Sequence, residues 1–473
     1  MMSKDLENRL CAAEKQHENE PYNSAILHEI CKYLVALKRE EEMLPWAERA
    51  LVLNPHDFAF MARRADALYL LGRYAEAADI WAQCLSQQNG SVLYRLRLGV
   101  SLMMAGELTR AISLLNEAWR MAVSSEVERA ASVGFAMGEA MLKTGDPQGF
   151  KYWLMRNDVP RFSSSYRPLG IPIWERGSEL RGKRVLITHE LGFGDNFLLA
   201  ACVTDWLAAG AKIMLTCHPQ SQALMQASLP NCEVISAPNP TQLHSPLPGS
   251  LLVEVNRFAP HIHATLLHLP LLKAGQPEAS EQGFQPYLQA PSQKHQIATE
   301  WGQQLRARQP GKKLVGLFWD CAQRHWPAMG AVVRCWAQRR SLPLDSVNEI
   351  VQYPAVADGV HFVNLHHPAA SALAGTPGSN VSVYLPGIRD FSDTAACIAQ
   401  LDAVIAVDSG VANLAVMMGV LTCVPVHTSG DWRWGVEGTT SPWVKNVTVF
   451  RQTHEGDWNQ VIQQIREWLL QML

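Results

Sequence analysis

Apolar residues recur at helical spacing through the first third of the chain, and the helical pattern itself recurs. When "ADALYLLGRYAEAADIWAQCL" from Ala65 is set against "GVSLMMAGELTRAISLLNEAW" from Gly99, the offset is 34 residues. Ala65 meets Gly99, Leu68 meets Leu102, Gly72 meets Gly106, Ala77 meets Ala111, Trp81 meets Leu115 and Cys84 meets Ala118. Small positions let two helices approach, large ones fill the groove, and glycine occupies the turn between them. One period earlier, "EICKYLVALKREEEMLPWAERALVLNP" repeats the pattern loosely through Cys31, Leu34, Ala50, Leu51 and Pro55. About five residues out of phase, "GEAMLKTGDPQGFKYWL" supplies Gly138, Met141 and Gly145. The spacing predicts three to four helix pairs over roughly residues 24–156.

After residue 165 short apolar runs alternate with helical stretches. "GKRVLIT" reads as a strand, followed by a glycine turn and a helix through "FLLAACVTDWLAAG". "AKIMLTC" and "CEVISA" are strands separated by a helix through "SQALMQASL", and "SLLVEV" near Leu252 reads as a further strand. A segment rich in Gln, Pro and Ser around 275–295 reads as a linker. The alternation then restarts: "KKLVGLFW", "VHFVNL", "DAVIAV" and "LTCVPV" are strands, "DTAACIAQL" and "VANLAVMMG" helices. Strands alternating with helices predict parallel sheets with helices on both faces. Two such units in tandem place a cleft at the carboxyl ends of their strands. The final stretch, "WNQVIQQIREWLLQML", is expected to be a helix packed across both units.

Composition narrows the partners. The chain has 473 residues, too many for one core, and a formal net charge of −3. Residues 1–165 hold 19 Lys and Arg against 21 Asp and Glu, leaving 22 and 23 beyond. Neither part is basic, so nucleic acid and anionic membrane are not favoured. No apolar run approaches the roughly 18–20 residues of a membrane span, and the charged N-terminus lacks a signal-peptide core. Ten cysteines stand without a C-x-x-C pair, as expected for reduced thiols of a cytoplasmic protein.

Two turns carry candidate chemistry. In "ITHELGFGDNFLLA", Gly192 and Gly194 are expected to let the turn lie close to a sugar ligand, and Asp195 follows. Asp195 can act as a general base on a hydroxyl or cap the following helix. The loop lacks G-x-G-x-x-G, so it makes no case for NAD. In "VDSGVAN", Asp408 ends a strand, Ser409 and Gly410 open the turn, and Asn413 lies in the helix beyond. Backbone N–H groups there suit a diphosphate, or the turn is a plain cap. Arg340, beside Arg339 in "RRSLPL", presents a fork matched to phosphate oxygens, or lies on the surface. In "GDWRWGVEG", Asp431 can accept from a sugar or ribose, and Trp432 and Trp434 either wall a pocket or pack the loop. Asp393 and Thr394 read as a helix cap. His189 and Glu190 flank the first turn. Neither an Asp-x-Asp motif in a suitable place nor a cluster with metal spacing is present, so no metal and no resident cofactor is expected.

The helix-pair region resembles the tetratricopeptide repeat. The string "LDAVIAVDSGVANLAVMMGVLTCVPVHTSGDWRWGVEGTTSPWVKNVTVFRQTHEGDW", with "GFGDN" and "RRSLPLDSV", resembles bacterial tetratricopeptide-repeat proteins with a C-terminal domain related to the heptosyltransferases of glycosyltransferase family nine. The resemblance implies an α plus α/β architecture: repeats over 1–165, then a GT-B pair of Rossmann-like lobes. The acceptor lobe is expected at 166–300 and the nucleotide-sugar lobe at 301–473. It further implies an inverting glycosyltransferase with Asp195 as base and Arg340, Asp408, Ser409, Gly410, Asn413, Asp431 and Trp432 about the donor. The acceptor is expected to be a protein recruited through the repeat groove. Asn413 stands where relatives usually carry His, and "WDCA" (Trp319–Ala322) replaces their "WRGN". Those departures motivate an alternative, a scaffold that keeps the fold without catalysis. A sugar-nucleotide epimerase on the same two-lobed plan is a third possibility.

Overall fold

The computed structural model describes residues 2–159, 164–242, 244–274, 283–321, 330–368 and 380–473. It forms two compact units, one of Met1–Ala140 with Cys321–Arg339, the other of Met141–Asp320 with Arg340–Leu473.

The first unit is an array of antiparallel helix pairs. A leading helix, Met2–Asn19, is followed by Ser24–Ala36 with Leu44–Leu53, Phe58–Leu70 with Tyr74–Gln87, and Val92–Met104 with Leu108–Ser125. Val127–Lys143 follows as a further helix. The turns explain the 34-residue period. Gly72 and Gly106 adopt φ of 81° and 86°, and Lys38, one period before Gly72, takes the same left-handed conformation at φ 59°. In each turn the next residue's N–H reaches back to the helix: Arg39 to the Leu34 carbonyl, Arg73 to Leu68 and Glu107 to Leu102. Between the helices the small positions are fully buried, Ala65, Ala77, Ala111 and Ala118 among them. A Cβ on Gly99 would lie 2.6 Å from the Leu115 side chain, so a larger residue there would require Leu115 to shift.

This unit also takes in part of the helix Ala331–Arg340. Arg334 donates to the Lys38 carbonyl at 2.8 Å and to Glu41 at 2.7 Å, and Arg339 donates to the Leu70 carbonyl. The compact unit thus differs from a continuous 1–165 segment. It gains a later helix, and the chain beyond Ala140 packs in the second unit, where Phe150 and Trp153 meet Trp432.

The second unit holds two parallel sheets. The first is built from β1 (Arg184–Thr188), β2 (Lys212–Cys217), β3 (Cys232–Ser236) and β4 (Ile262–Thr265) in the order β3-β2-β1-β4. The second is built from β5 (Lys313–Phe318), β6 (Val360–Asn364), β7 (Val381–Val383), β8 (Ala403–Ala406), β9 (Thr422–Val426) and β10 (Val447–Arg451) in the order β10-β9-β8-β5-β6-β7. The architecture is therefore the expected α plus α/β, a helical repeat array followed by two Rossmann-like halves. The central strands read as continuous apolar runs because both faces are covered: Val185, Leu186 and Ile187 of β1 and Ala403–Ala406 of β8 are fully buried.

Local expectations differ from the structure in three places. Leu252–Phe258 is a helix, not a strand. Val255 and Phe258, one helical turn apart, are its buried residues, while Leu252 and Val253 face outward. The strand of that region is β4 instead. The helix after the first glycine turn breaks into Phe193–Leu199, a 3-10 turn at Ala200–Cys202, and Val203–Ala208. The terminal helix Asn459–Gln471 packs on Leu344–Val351, Pro354–Gly359 and β10, all in the second half. All ten cysteines are free thiols. Among the described residues no helix is long and apolar enough to cross a membrane.

Candidate active site

Three strands deliver the site. The chain leaves the carboxyl end of β1 through the Gly192–Asp195 turn, that of β8 through Asp408–Asn413, and that of β9 through Asp431–Arg433. The first two turns meet face to face. A Cβ on Gly194 would lie 2.8 Å from Asn413 Nδ2, and one on Gly410 would lie 3.2 Å from Phe193 Cβ. Phe391 adds an aromatic contact to each of Phe193 and Phe197, at 4.4 and 5.0 Å between ring centroids. The chain leading into β5 ties both halves together: the Tyr287 hydroxyl donates to the Phe197 carbonyl, and Tyr287 N–H donates to that of Met417.

Asp195 does not cap its helix. Gly192 is the N-cap and makes no side-chain bond. Asp195 Oδ1 instead accepts from Arg433 Nη2 at 2.5 Å, across the two halves. Arg433 Nη1 is 2.8 Å from Asp431 Oδ1, and the guanidinium lies 5.4 Å from the Trp432 ring centroid. Burial works against the Arg433 charge, yet the attraction of Asp195, Asp431 and Asp408 outweighs it and holds the guanidinium firmly protonated. Asp408 is almost fully buried, and Arg340 Nη1 stands 4.0 Å from its Oδ2. Burial pushes the Asp408 carboxyl upward and Asp431 adds to the rise, while Arg340, Arg433 and Trp434 oppose it.

Most residues expected from the sequence thus converge. Asp195, Arg340, Asp408 and Asp431 share one charged cluster. Ser409 caps the following helix, its Oγ accepting from Ala412 N–H at 3.3 Å, and Gly410 opens that helix. Asn413 is buried, and its Nδ2 donates to the Ser409 carbonyl at 2.8 Å. The close approach that Gly194 permits is therefore to Asn413. Gly192, at φ −80°, is less confined: among the described residues a Cβ there would meet Asp195 Oδ2 at 3.7 Å.

Trp432 makes the packing contacts of the second of its two readings. It is buried among Phe150, Trp153 and Trp443 at 5.4 to 5.7 Å, so it packs the loop, with the Arg433 guanidinium beside its ring. The cap at Phe391–Ile398 is Asp390, which accepts from Ser392 and Asp393 N–H, while Asp393 pairs with Arg389 and Lys294. Of the "WDCA" stretch, Ala322 lies outside the described residues, whereas Trp319 is fully buried against His366. Sequence reasoning missed Arg433. Its signal was a lone basic residue between Trp432 and Trp434, in a loop already singled out for its acid.

Behind the first turn lie two further buried groups. His189 shares a hydrogen bond with Thr216 Oγ1 at 2.7 Å, and burial lowers its pKa to about 4. Glu190 accepts from Leu267 N–H at 3.2 Å, and burial raises its pKa to about 7. Leu191, next in sequence, sits at φ 69°, a strained conformation for a branched side chain. Among the described residues, no group of three or more His, Cys, Asp or Glu is arranged to hold a metal ion.

No family model matches the chain. Protein FlbA of Caulobacter vibrioides is 24% identical over 450 residues, covering 89% of this chain and 68% of that protein. A family 9 glycosyl transferase from Veillonella parvula superposes with a TM-score of 0.45 at 14% identity, covering 63% of this chain and 100% of its own. An O-GlcNAc transferase mutant from Thermobaculum terrenum gives a TM-score of 0.30 at 15% identity, covering 98% of this chain and 93% of its own.

Proposed function

We propose that the second unit transfers a sugar from a nucleotide-sugar donor to a hydroxyl acceptor, with inversion. The observation that carries this reading is the convergence of Asp195 from the first half with Arg340, Asp408, Asp431 and Arg433 from the second. A displacement at an anomeric carbon needs a base on one side and positive charge on the other. Asp195 is the base: it takes the acceptor proton while the hydroxyl oxygen bonds to the anomeric carbon and the nucleoside diphosphate departs. Arg340 and the turn Asp408–Gly410 face the departing phosphates, and the N-terminus of Gly410–Met417 adds its dipole. Two guanidinium groups supply the positive charge, so the reaction runs without a metal ion. The helix pairs recruit a protein acceptor, and the reaction belongs to the cytoplasm.

The interlocked turns favour a second reading, a binding scaffold without transfer. Phe193 and Gly194 press on the helix start at Gly410, and Asn413 spends its amide on Ser409. Donor entry requires these turns to part. The distinguishing experiment incubates the full chain with UDP-, GDP- and ADP-sugars and follows nucleoside diphosphate release. Release that disappears in Asp195→Asn supports transfer. Binding of nucleotide without release by the wild type supports the scaffold.

A further inference from the structure

Arg433 joins groups that the proposed reaction needs apart. Its side chain is 8% exposed, and its fork spans the halves, Nη2 on Asp195 and Nη1 on Asp431. Among the described residues its Nε is buried without a hydrogen-bond acceptor. Three carboxylates, Asp195, Asp408 and Asp431, surround two guanidinium groups, Arg340 and Arg433. An anionic ligand entering this cluster therefore competes with the three carboxyl groups for the two guanidinium groups.

The two ties of Arg433 are unequal. Asp431 is two residues away and also accepts the Arg433 backbone N–H at 3.3 Å, so it stays whenever the loop stays. Asp195 holds on through one oxygen from the other half. We infer that Arg433 exchanges Asp195 for the pyrophosphate of the donor, so that donor binding frees the Asp195 carboxylate. This rests on the transfer reading above and deepens it. A guanidinium fork serves carboxylate and phosphate oxygens with the same geometry, which makes the exchange direct. Arg433 is then a ligand-binding residue in the loaded protein and a restraint on the base in the free one. The cleft is charged first by the donor, and only then has a proton acceptor available for the hydroxyl.

The test uses inorganic pyrophosphate titrated calorimetrically into the full chain, with circular dichroism confirming that each variant folds. The wild type binds, and Arg433→Met weakens binding at least tenfold. Asp195→Asn tightens it at least threefold, because the competing carboxylate is gone. In Arg433→Met/Asp195→Asn the tightening disappears. Persistence of the tightening in that double variant reports only the loss of a repelling charge and overturns the exchange. So does unchanged or weaker binding by Asp195→Asn, or no binding by any form. Asp195→Ser and Arg433→Lys are made in parallel, so that a folding failure in one variant leaves the comparison standing. If pyrophosphate follows this pattern but no nucleotide sugar is turned over, the exchange stands and transfer falls. Turnover with no tightening in Asp195→Asn leaves transfer standing and removes the exchange.

Discussion

Gly194→Ala tests the meeting of the two turns. The new methyl would sit 2.8 Å from Asn413 Nδ2, 3.3 Å from its Cγ and 3.6 Å from the Ser409 carbonyl oxygen. Asn413 cannot yield cheaply, because it is buried and its amide is bonded to that same carbonyl at 2.8 Å. Overpacking a filled site costs about 1–3 kcal/mol, and displacing the amide adds about 1 kcal/mol. Gly192→Ala is the control. At φ −80° and ψ 167° alanine is unstrained, and its nearest neighbour is at 3.7 Å. The entropic gain and the poorer cap there are each a few tenths of a kcal/mol to about 1 kcal/mol, and they oppose one another. Urea unfolding of the second unit, followed by tryptophan fluorescence, should show Gly194→Ala losing at least 1.5 kcal/mol more than Gly192→Ala. In Gly194→Ala/Asn413→Ala the loss should fall short of the sum of the single losses by more than about 1 kcal/mol. A Gly194→Ala variant within 0.5 kcal/mol of the wild type, or an additive double variant, refutes the interlock.

Other predictions follow from the same geometry. Lys38→Gly should stabilise the helical unit by about 1 kcal/mol, and Gly106→Ala should destabilise it by about as much, read as shifts in the urea midpoint. Trp432→Ala should cost about 3–5 kcal/mol by removing a ring packed on Phe150, Trp153 and Trp443. Burial holds His189, His268 and His366 at pKa values of about 4 and His263 at about 3. These groups stay neutral when folded and charge when unfolded, so stability contributed above pH 6.5 is lost as pH falls through the folded values. Thermal melts should therefore drop steeply between pH 6.5 and 4. Glu190 runs the other way: raised to about 7, its carboxyl favours the fold fully below about pH 4.5, and that contribution is lost as pH rises to 7. Glu190→Gln should gain up to about 3 kcal/mol relative to wild type at pH 8 and nothing at pH 4, and equal gains at both pH values would contradict the burial.

Much of this molecule is legible in its sequence because local rules and tertiary demands agree there. The 34-residue offset marks turns with a common left-handed residue, and Lys38 shows why glycine alone does not define the period. The strands of both sheets are visible as apolar runs because parallel sheets bury both faces. "SLLVEV" misled for the same reason, since a short apolar run has no period of its own. Val255 and Phe258 reveal the helix only once their burial is known. At the site, acids and glycines beside strand ends could be picked out one by one. What holds them together could not, because the Asp195–Arg433 pair spans 238 residues of chain and depends on how the two sheets meet. Trp432 and Trp434 stand two apart in one loop, yet one packs in an aromatic cluster and the other lies by Asp408, a division set by tertiary packing.

The most direct measurement is nucleoside diphosphate release from a panel of nucleotide sugars, comparing the wild type with Asp195→Asn and Arg340→Ala. The wild type should release nucleoside diphosphate from at least one sugar, with a loss of at least a hundredfold in Asp195→Asn and a clear reduction in Arg340→Ala. Full release by Asp195→Asn would contradict the assignment of Asp195 as the base.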